Sequence, residues 1–260
     1  MPIHAVLGGT GGTGSAVVRT LLASQIPDLG INVLVRSKSK LLQAIPQLGS
    51  TSTAVVNIFE TPNLDADTFT ACVKGASTIY VCIGTNNASR KNEIAVTTAT
   101  RLIAALGHCR KALGSDYKAP TILFNRSMAL NRDVIFFPTE SVKRFMQWAM
   151  FGIFEDLLKA GEMYATAERD GLLVCITADP PGMMDANGTE ATGYELLQKG
   201  KAAPMLNYAD FGAAMVELGQ RRAEFGGKAV GVSATGAVRP EVLVNLWRLV
   251  LGLKTRLSPF

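Results

Sequence analysis

The chain has 260 residues, 48% of them hydrophobic, and a formal net charge of +5. That is enough apolar chain for a full core in one domain, with a C-terminal extension from about residue 183 onward. Its basic residues are dispersed and no nucleic-acid-binding motif accompanies them, so the charge fits an anionic small molecule and gives no case for DNA or RNA.

Four cysteines, Cys72, Cys82, Cys109 and Cys175, show no C-x-x-C spacing and read as buried reduced thiols. The two histidines, His4 and His108, are too few and too far apart for a His-based metal site, and no metal is expected. No charged leader precedes an apolar core and cleavage site, which makes the expected location cytoplasmic.

Short apolar runs at 3–7, 31–35, 54–58, 78–83, 121–124, 172–177 and 229–232 alternate with longer helical patterns. This rhythm predicts an α/β fold of Rossmann type, a doubly wound parallel sheet with helices on both faces. The runs are continuously apolar, as both-face burial requires. Ligands in such sheets bind beyond the carboxyl ends of the strands.

Directly after the first run stands Gly8-Gly9-Thr10-Gly11-Gly12-Thr13-Gly14, followed by apolar-periodic Ala16-Val17-Val18 and Leu21-Leu22. Strand, glycine-rich turn and helix in this order form a dinucleotide-binding signature, because the bare backbone approaches the pyrophosphate and the new helix points its N–H groups at it. Two registers fit: Gly9-x-Gly11-x-x-Gly14 and Gly8-x-x-Gly11-x-x-Gly14.

After the second run, Arg36, Ser37, Lys38 and Lys40 stand where an NAD-specific site places an acid for the ribose diol. Arg36, Ser37 and Lys40 suit the 2′-phosphate of NADP(H), with a solvated turn capped by Ser37 as the plain alternative. Asn57 and Ile58 are expected to end the third strand against the adenine. Gly84, Thr85 and Asn86 follow the fourth, where a glycine lets the backbone approach the ribose.

After the fifth run, Ser127 fits either a hydrogen-bond donor to cofactor or substrate or a turn cap. Lys143, early in the next helix, is a catalytic candidate placed to reach the nicotinamide ribose, with a solvated helix position as the plain alternative; the 140–170 pattern around it carries Gly152 and Gly161 and is prone to break. Asp185 follows Pro180-Pro181-Gly182 and reads as an acid or base near the nicotinamide, or as a helix cap. Tyr208-Ala209-Asp210 reads as a helix start with a capping acid. The apolar segment at 241–251 is too short to span a bilayer, which takes ~20 residues, and suits a core or dimer-interface helix.

The glycine turn, Val35-Arg36-Ser37-Lys38-Ser39-Lys40-Leu41-Leu42, Val56-Asn57-Ile58-Phe59-Glu60, Cys72-Val73-Lys74-Gly75-Ala76 and Tyr208-Ala209-Asp210-Phe211 together resemble atypical, NmrA-like short-chain dehydrogenases. More narrowly they are similar to the averufin-oxidase-like branch of fungal aromatic polyketide pathways. The resemblance implies a monomeric or homodimeric NADPH-binding enzyme acting on anthraquinone- or xanthone-like polyketides.

Three departures from that pattern concern the chemistry. No tyrosine here has a lysine four residues later, so the Tyr-x-x-x-Lys pair of short-chain dehydrogenases is missing. Arg126-Ser127 replaces a Ser-Ser pair after the fifth strand, and Asp179 precedes Pro180-Pro181-Gly182 where many relatives carry a base. Three functions therefore stay open: an NADPH-dependent reductase of a ketone or quinone with residues 183–208 as lid, a dinucleotide-retaining isomerase or cyclase, and a dinucleotide-sensing regulator.

Overall fold

In chain order the elements are β1 (Ile3–Leu7), α1 (Gly12–Ala23), β2 (Gly30–Val35), α2 (Lys38–Ala44), β3 (Val55–Glu60), α3 (Ala66–Val73), β4 (Thr78–Val81) and α4 (Ile94–Leu113). Then come β5 (Thr121–Asn125), β6 (Val134–Ile135), α5 (Glu140–Ala149), α6 (Phe151–Arg169), β7 (Val174–Asp179), β8 (Gly182–Met184) and β9 (Tyr194–Leu197). The last are β10 (Gly200–Lys201), β11 (Met205–Asn207), α7 (Tyr208–Gln220), α8 (Arg222–Phe225) and β12 (Ala229–Ala234). This computed structural model describes residues 1–49, 55–85, 92–185 and 187–239. The segment expected as a helix at 241–251, and Asn86, lie outside the described residues.

Among the described residues the main sheet runs β3-β2-β1-β4-β5-β7-β12-β9, parallel throughout except for the antiparallel β12–β9 edge. Successive side chains of a strand point to opposite faces, so each strand feeds two cores. Val6, Val33, Tyr80, Leu123 and Ile176 meet Val17 and Leu21 of α1, Leu41 of α2, and Phe211 and Met215 of α7. Ala5, Leu34, Ile79, Phe124 and Cys175 meet Phe69 of α3, Leu102 of α4 and Tyr164 of α6. Each fully buried Leu or Phe in these layers contributes roughly 1.5–3 kcal/mol relative to exposure. The result is the doubly wound Rossmann-type fold that the strand–helix rhythm predicts.

Several boundaries differ from the expected ones. β3 continues to Glu60, with Asn57 opposite Asn32 and Glu60 opposite Val35. Asn57 and Ile58 therefore sit inside the strand: Asn57 Nδ2 donates to Asn32 Oδ1 at 3.1 Å, and Ile58 packs against a core. The strand goes further because its edge face tolerates exposure, which continuous apolarity does not reveal. The 140–170 helical pattern breaks at Met150 (φ −102°, ψ 18°), while Gly161 stays inside α6, close to Phe124. α4 begins without a side-chain cap of its own and is capped from α6, where buried Asp156 accepts from the Ala95 and Val96 amides at 2.8 and 3.0 Å.

Among the described residues the segment expected as a lid, 183–208, carries the short strands β8, β9, β10 and β11 joined by turns. β8 pairs with β11, β10 pairs with β6, and β9 joins the main sheet. Among the described residues no helix is long and apolar enough to cross a membrane. All four cysteines are buried and free.

Opposite the carboxyl edge, His4 Nδ1 lies 3.1 Å from the hydroxyl of fully buried Tyr80. Burial pulls the His4 pKa down from 6.5 to about 4, so the folded ring stays neutral where the unfolded ring takes a proton. The unfolded state binds more protons across this window, and stability must therefore rise with pH between about 4 and 6.5. Urea unfolding at pH 7.5, 5.5 and 4.5 is expected to show a loss of about 3 kcal/mol toward acid from this one group, which His4→Gln removes.

Candidate functional site

The carboxyl edge of the sheet is built around the turn between β1 and α1. Gly8 holds φ +94°, a conformation that side chains resist, and both its amide and that of Gly9 donate to Leu34 O, at 2.9 and 3.2 Å. Gly11 donates to Gly8 O at 3.1 Å. A Cβ on Gly14 would lie 2.1 Å from Gly8 O, so α1 seats directly on the turn. Both registers keep their glycines for a reason: Gly8 shapes the bend, a Cβ on Gly9 would lie 2.3 Å from Val33 Cγ1, Gly11 meets only Gly8 O at 3.6 Å and Gly14 allows close packing.

The donors left over are the amides of Thr10, Gly12, Thr13 and Gly14, which have no partner among the described residues. α1 has no side-chain cap and no acid in its first turn. Orphan amides with an uncompensated positive helix end form a cradle for an anion, and a pyrophosphate fits it. Gly8 and Gly9, expected among the cofactor-binding glycines, commit their amides to Leu34 O and so shape the turn. The Tyr208 ring covers Gly12, where a Cβ would meet it at 2.8 Å. Gly212 brings α7 against α1 in the same way, since a Cβ there would sit 2.6 Å from the Ala16 backbone.

At the end of β2, Arg36 is exposed and makes no hydrogen bond or ion pair among the described residues. Ser37 accepts from the Lys40 amide at 3.4 Å and shares a hydrogen bond with Ser39, so its side chain caps α2. The acid absent from this turn in sequence arrives from the next strand: Glu60 Oε1 accepts from the Lys38 amide at 2.9 Å. The ends of β2 and β3 are neighbours only because Val35 pairs with Glu60. Gly84 is exposed beyond β4, with nothing within 4 Å of its Cβ direction, and Thr85 follows it.

Beyond β5 and β7 lies a polar knot. Arg126 Nε and Nη2 grip Asp179 Oδ1 and Oδ2 at 2.9 and 2.6 Å, with the carboxylate side chain fully buried. Asn131 Nδ2 adds a bond at 2.8 Å to Asp179 Oδ2, and Asn131 Oδ1 accepts from the Asp133 and Val134 amides. Burial pushes the Asp179 carboxyl upward, opposed by Arg126, Asn131 and the Ser127 amide. Ser127 Oγ accepts from the Ala129 amide at 3.3 Å, capping a short 3-10 turn and leaving its O–H proton for another acceptor.

The other two expected catalytic residues do not join this group. Lys143 Nζ lies 3.8 Å from Glu140 Oε2 in a partly exposed ion pair on α5. Asp185, at φ 52°, accepts from the Thr189 and Glu190 amides at 2.7 Å each, so its carboxylate staples its own turn. Asp210 likewise holds Thr192 and Gly193 instead of capping α7.

Two buried side-chain atoms near this edge lack partners among the described residues, Asn125 Oδ1 at the end of β5 and Asn207 Nδ2 beside Tyr208. An unmatched acceptor and an unmatched donor are costly in a protein interior. Sequence reading passed over Glu60, Asn131, Asp179, Asn207 and Tyr208 as site residues, because each reaches the edge through strand or helix packing and carries no local motif.

The fold and the phosphate cradle define a Rossmann-type dinucleotide-binding protein. A family described as NAD(P)H-binding matches residues 8–111. Averufin oxidase A of Aspergillus flavus is 38% identical over 257 residues, covering 99% of this chain and 91% of the relative. Averufin oxidase stcO of Emericella nidulans is 37% identical, covering 97% and 87%. The chain belongs to the averufin oxidase family of NAD(P)-binding oxidoreductases. In fold it matches a short-chain dehydrogenase/reductase from Veillonella parvula in complex with NADP, with a TM-score of 0.64, 13% identity, and 92% and 99% coverage of the two chains.

Proposed function

We propose that the protein is a cytoplasmic NADPH-dependent oxidoreductase acting on a ketone or quinone of an aromatic polyketide of anthraquinone or xanthone type. The observation that carries this reading is the ring of free amides at Thr10, Gly12, Thr13 and Gly14 beneath an uncapped helix end. NADPH would supply hydride to the substrate carbon. Thr10 and Gly12 to Gly14 hold the pyrophosphate, Arg36 and Lys40 face the 2′-phosphate, and Gly84 and Thr85 border the ribose. Ser127 donates to a carbonyl beyond β5, and the 183–208 segment serves as the lid over the substrate. The names of the fungal relatives support the polyketide class.

Glu60 favours a second reading on the cofactor. A carboxylate on the Lys38 amide, at the end of the strand paired with β2, is equally suited to a ribose diol, which is the NADH arrangement. Fluorescence titration separates the two. With NADPH as cofactor, Arg36→Glu weakens NADPH by about tenfold or more while sparing NADH, and Glu60→Gln leaves NADPH as tight or tighter. Should NADH bind better than NADPH, with Glu60→Gln abolishing that preference, the phosphorylated cofactor is ruled out. A hydroxyanthraquinone panel followed by NADPH absorbance tests turnover; product formed with static absorbance points to isomerisation instead.

A further inference from the structure

The chain lacks the tyrosine–lysine pair with which short-chain dehydrogenases polarise a carbonyl, yet the polar knot beyond β5 and β7 holds a cation with an uncommitted edge. Arg126 uses Nε and Nη2 on Asp179. Its Nη1 makes no hydrogen bond among the described residues and is not one of the buried unpartnered atoms, and the side chain retains 17% exposure. A guanidinium has five N–H donors in a rigid plane, so fixing one edge fixes the direction of the other. Asn131 braces the same carboxylate and is itself held by two backbone amides.

The position suits a substrate rather than a phosphate. β5 lies two strands from β1 in the sheet, about 10 Å from the phosphate cradle at the usual strand spacing. Ser127, with its free O–H proton, is the next residue, and the orphaned Asn125 Oδ1 is the one before. A cation presented from a buried, fully bonded support suffers little reorganisation when negative charge appears beside it.

We propose that Arg126 is the oxyanion-stabilising residue of this site: its Nη1 edge hydrogen-bonds the substrate oxygen that carries negative charge, with Asp179 as the positioning residue behind it. Arg126 and Asp179 thus do the polarising work that the missing Tyr-x-x-x-Lys pair does elsewhere. The inference deepens the reductase reading for the identity of the ligand, a phenolic or quinonoid oxygen, and is tested here with a probe that does not depend on it.

The probe is 4-nitrophenol, whose phenolate is coloured, titrated against the protein with and without NADP+. Wild type is expected to favour the bound phenolate by about tenfold or more, as a nearby cation does. Because Arg126→Met alone leaves a buried carboxylate unpaired, the comparison uses Arg126→Met/Asp179→Leu, which is expected to lose that preference while NADPH affinity stays within about twofold. Arg126→Lys is expected to keep part of it. Wild type that leaves the probe's ionisation unchanged, or a double variant that perturbs it equally, overturns the proposal. Loss of NADPH affinity in the double variant also overturns it, by assigning Arg126 to the cofactor. If hydroxyanthraquinones do not bind while the nitrophenol effect follows Arg126, the polyketide reading fails and the role of Arg126 stands.

Discussion

Gly14→Ala is expected to abolish dinucleotide binding and to unfold at markedly lower denaturant, whereas Gly11→Ala is expected to keep wild-type stability and still lose the dinucleotide. The added Cβ at Gly14 would lie 2.1 Å from Gly8 O and 2.8 Å from Gly8 C, both backbone atoms with no side chain to turn aside. α1 must then move off β1, disturbing the layer of Val17, Val18 and Leu21. Overpacking of this kind costs about 1–3 kcal/mol or more. At Gly11 the Cβ would meet only Gly8 O, at 3.6 Å, and φ is −74°, open to any residue. Its methyl therefore troubles nothing in the protein and stands only in the way of a ligand on the free amides. Thermal unfolding together with NADPH titration of the two variants reads both effects. A Gly11→Ala protein that binds NADPH as tightly as wild type shows that the turn does not hold the phosphates.

Arg126→Met alone is expected to lose about 3–5 kcal/mol of stability, the usual cost of stranding one member of a buried ion pair. Asp179 is fully buried, and burial already pushes its carboxyl upward against the pull of Arg126 and Asn131. Without the guanidinium the folded-state pKa climbs further above the unfolded value. A carboxyl raised in this sense contributes stability below its unfolded pKa and loses it as pH rises, so the deficit is largest at neutral pH and shrinks toward acid. Asp179→Leu combined with Arg126→Met restores most of the loss, because apolar residues of similar volume replace buried ion pairs at little cost. The double-mutant cycle by urea unfolding at pH 7 and pH 5 measures the coupling; additive single effects show that the two side chains do not act as a pair.

The same two residues mark where the sequence stops speaking. Arg126 and Asp179 are 53 positions apart and join only because β5 and β7 are neighbours in the sheet, although their codes fall on either side of an intervening helical pattern. Glu60 is comparable: nothing at Lys38 announces a carboxylate 22 residues away until Val35 and Glu60 pair across β2 and β3. Asn57 and Ile58 show the opposite error, since a strand's apolar run does not state how far its hydrogen bonding continues. Asp185 kept its local chemistry as a turn staple, and the sheet gave it no partner in the site.

By itself the sequence determined the layering of the fold and the location of the cradle, because both are local: strand and helix follow from runs of side chains, and a phosphate turn is a contiguous string of glycines at a strand's end. Only the tertiary structure decided which amides of that turn have no partner among the described residues, which acid accepts from the Lys38 amide, and that a buried carboxylate holds Arg126. Those properties belong to neighbours in space, and strand pairing brings them together after the chain has closed its long loops.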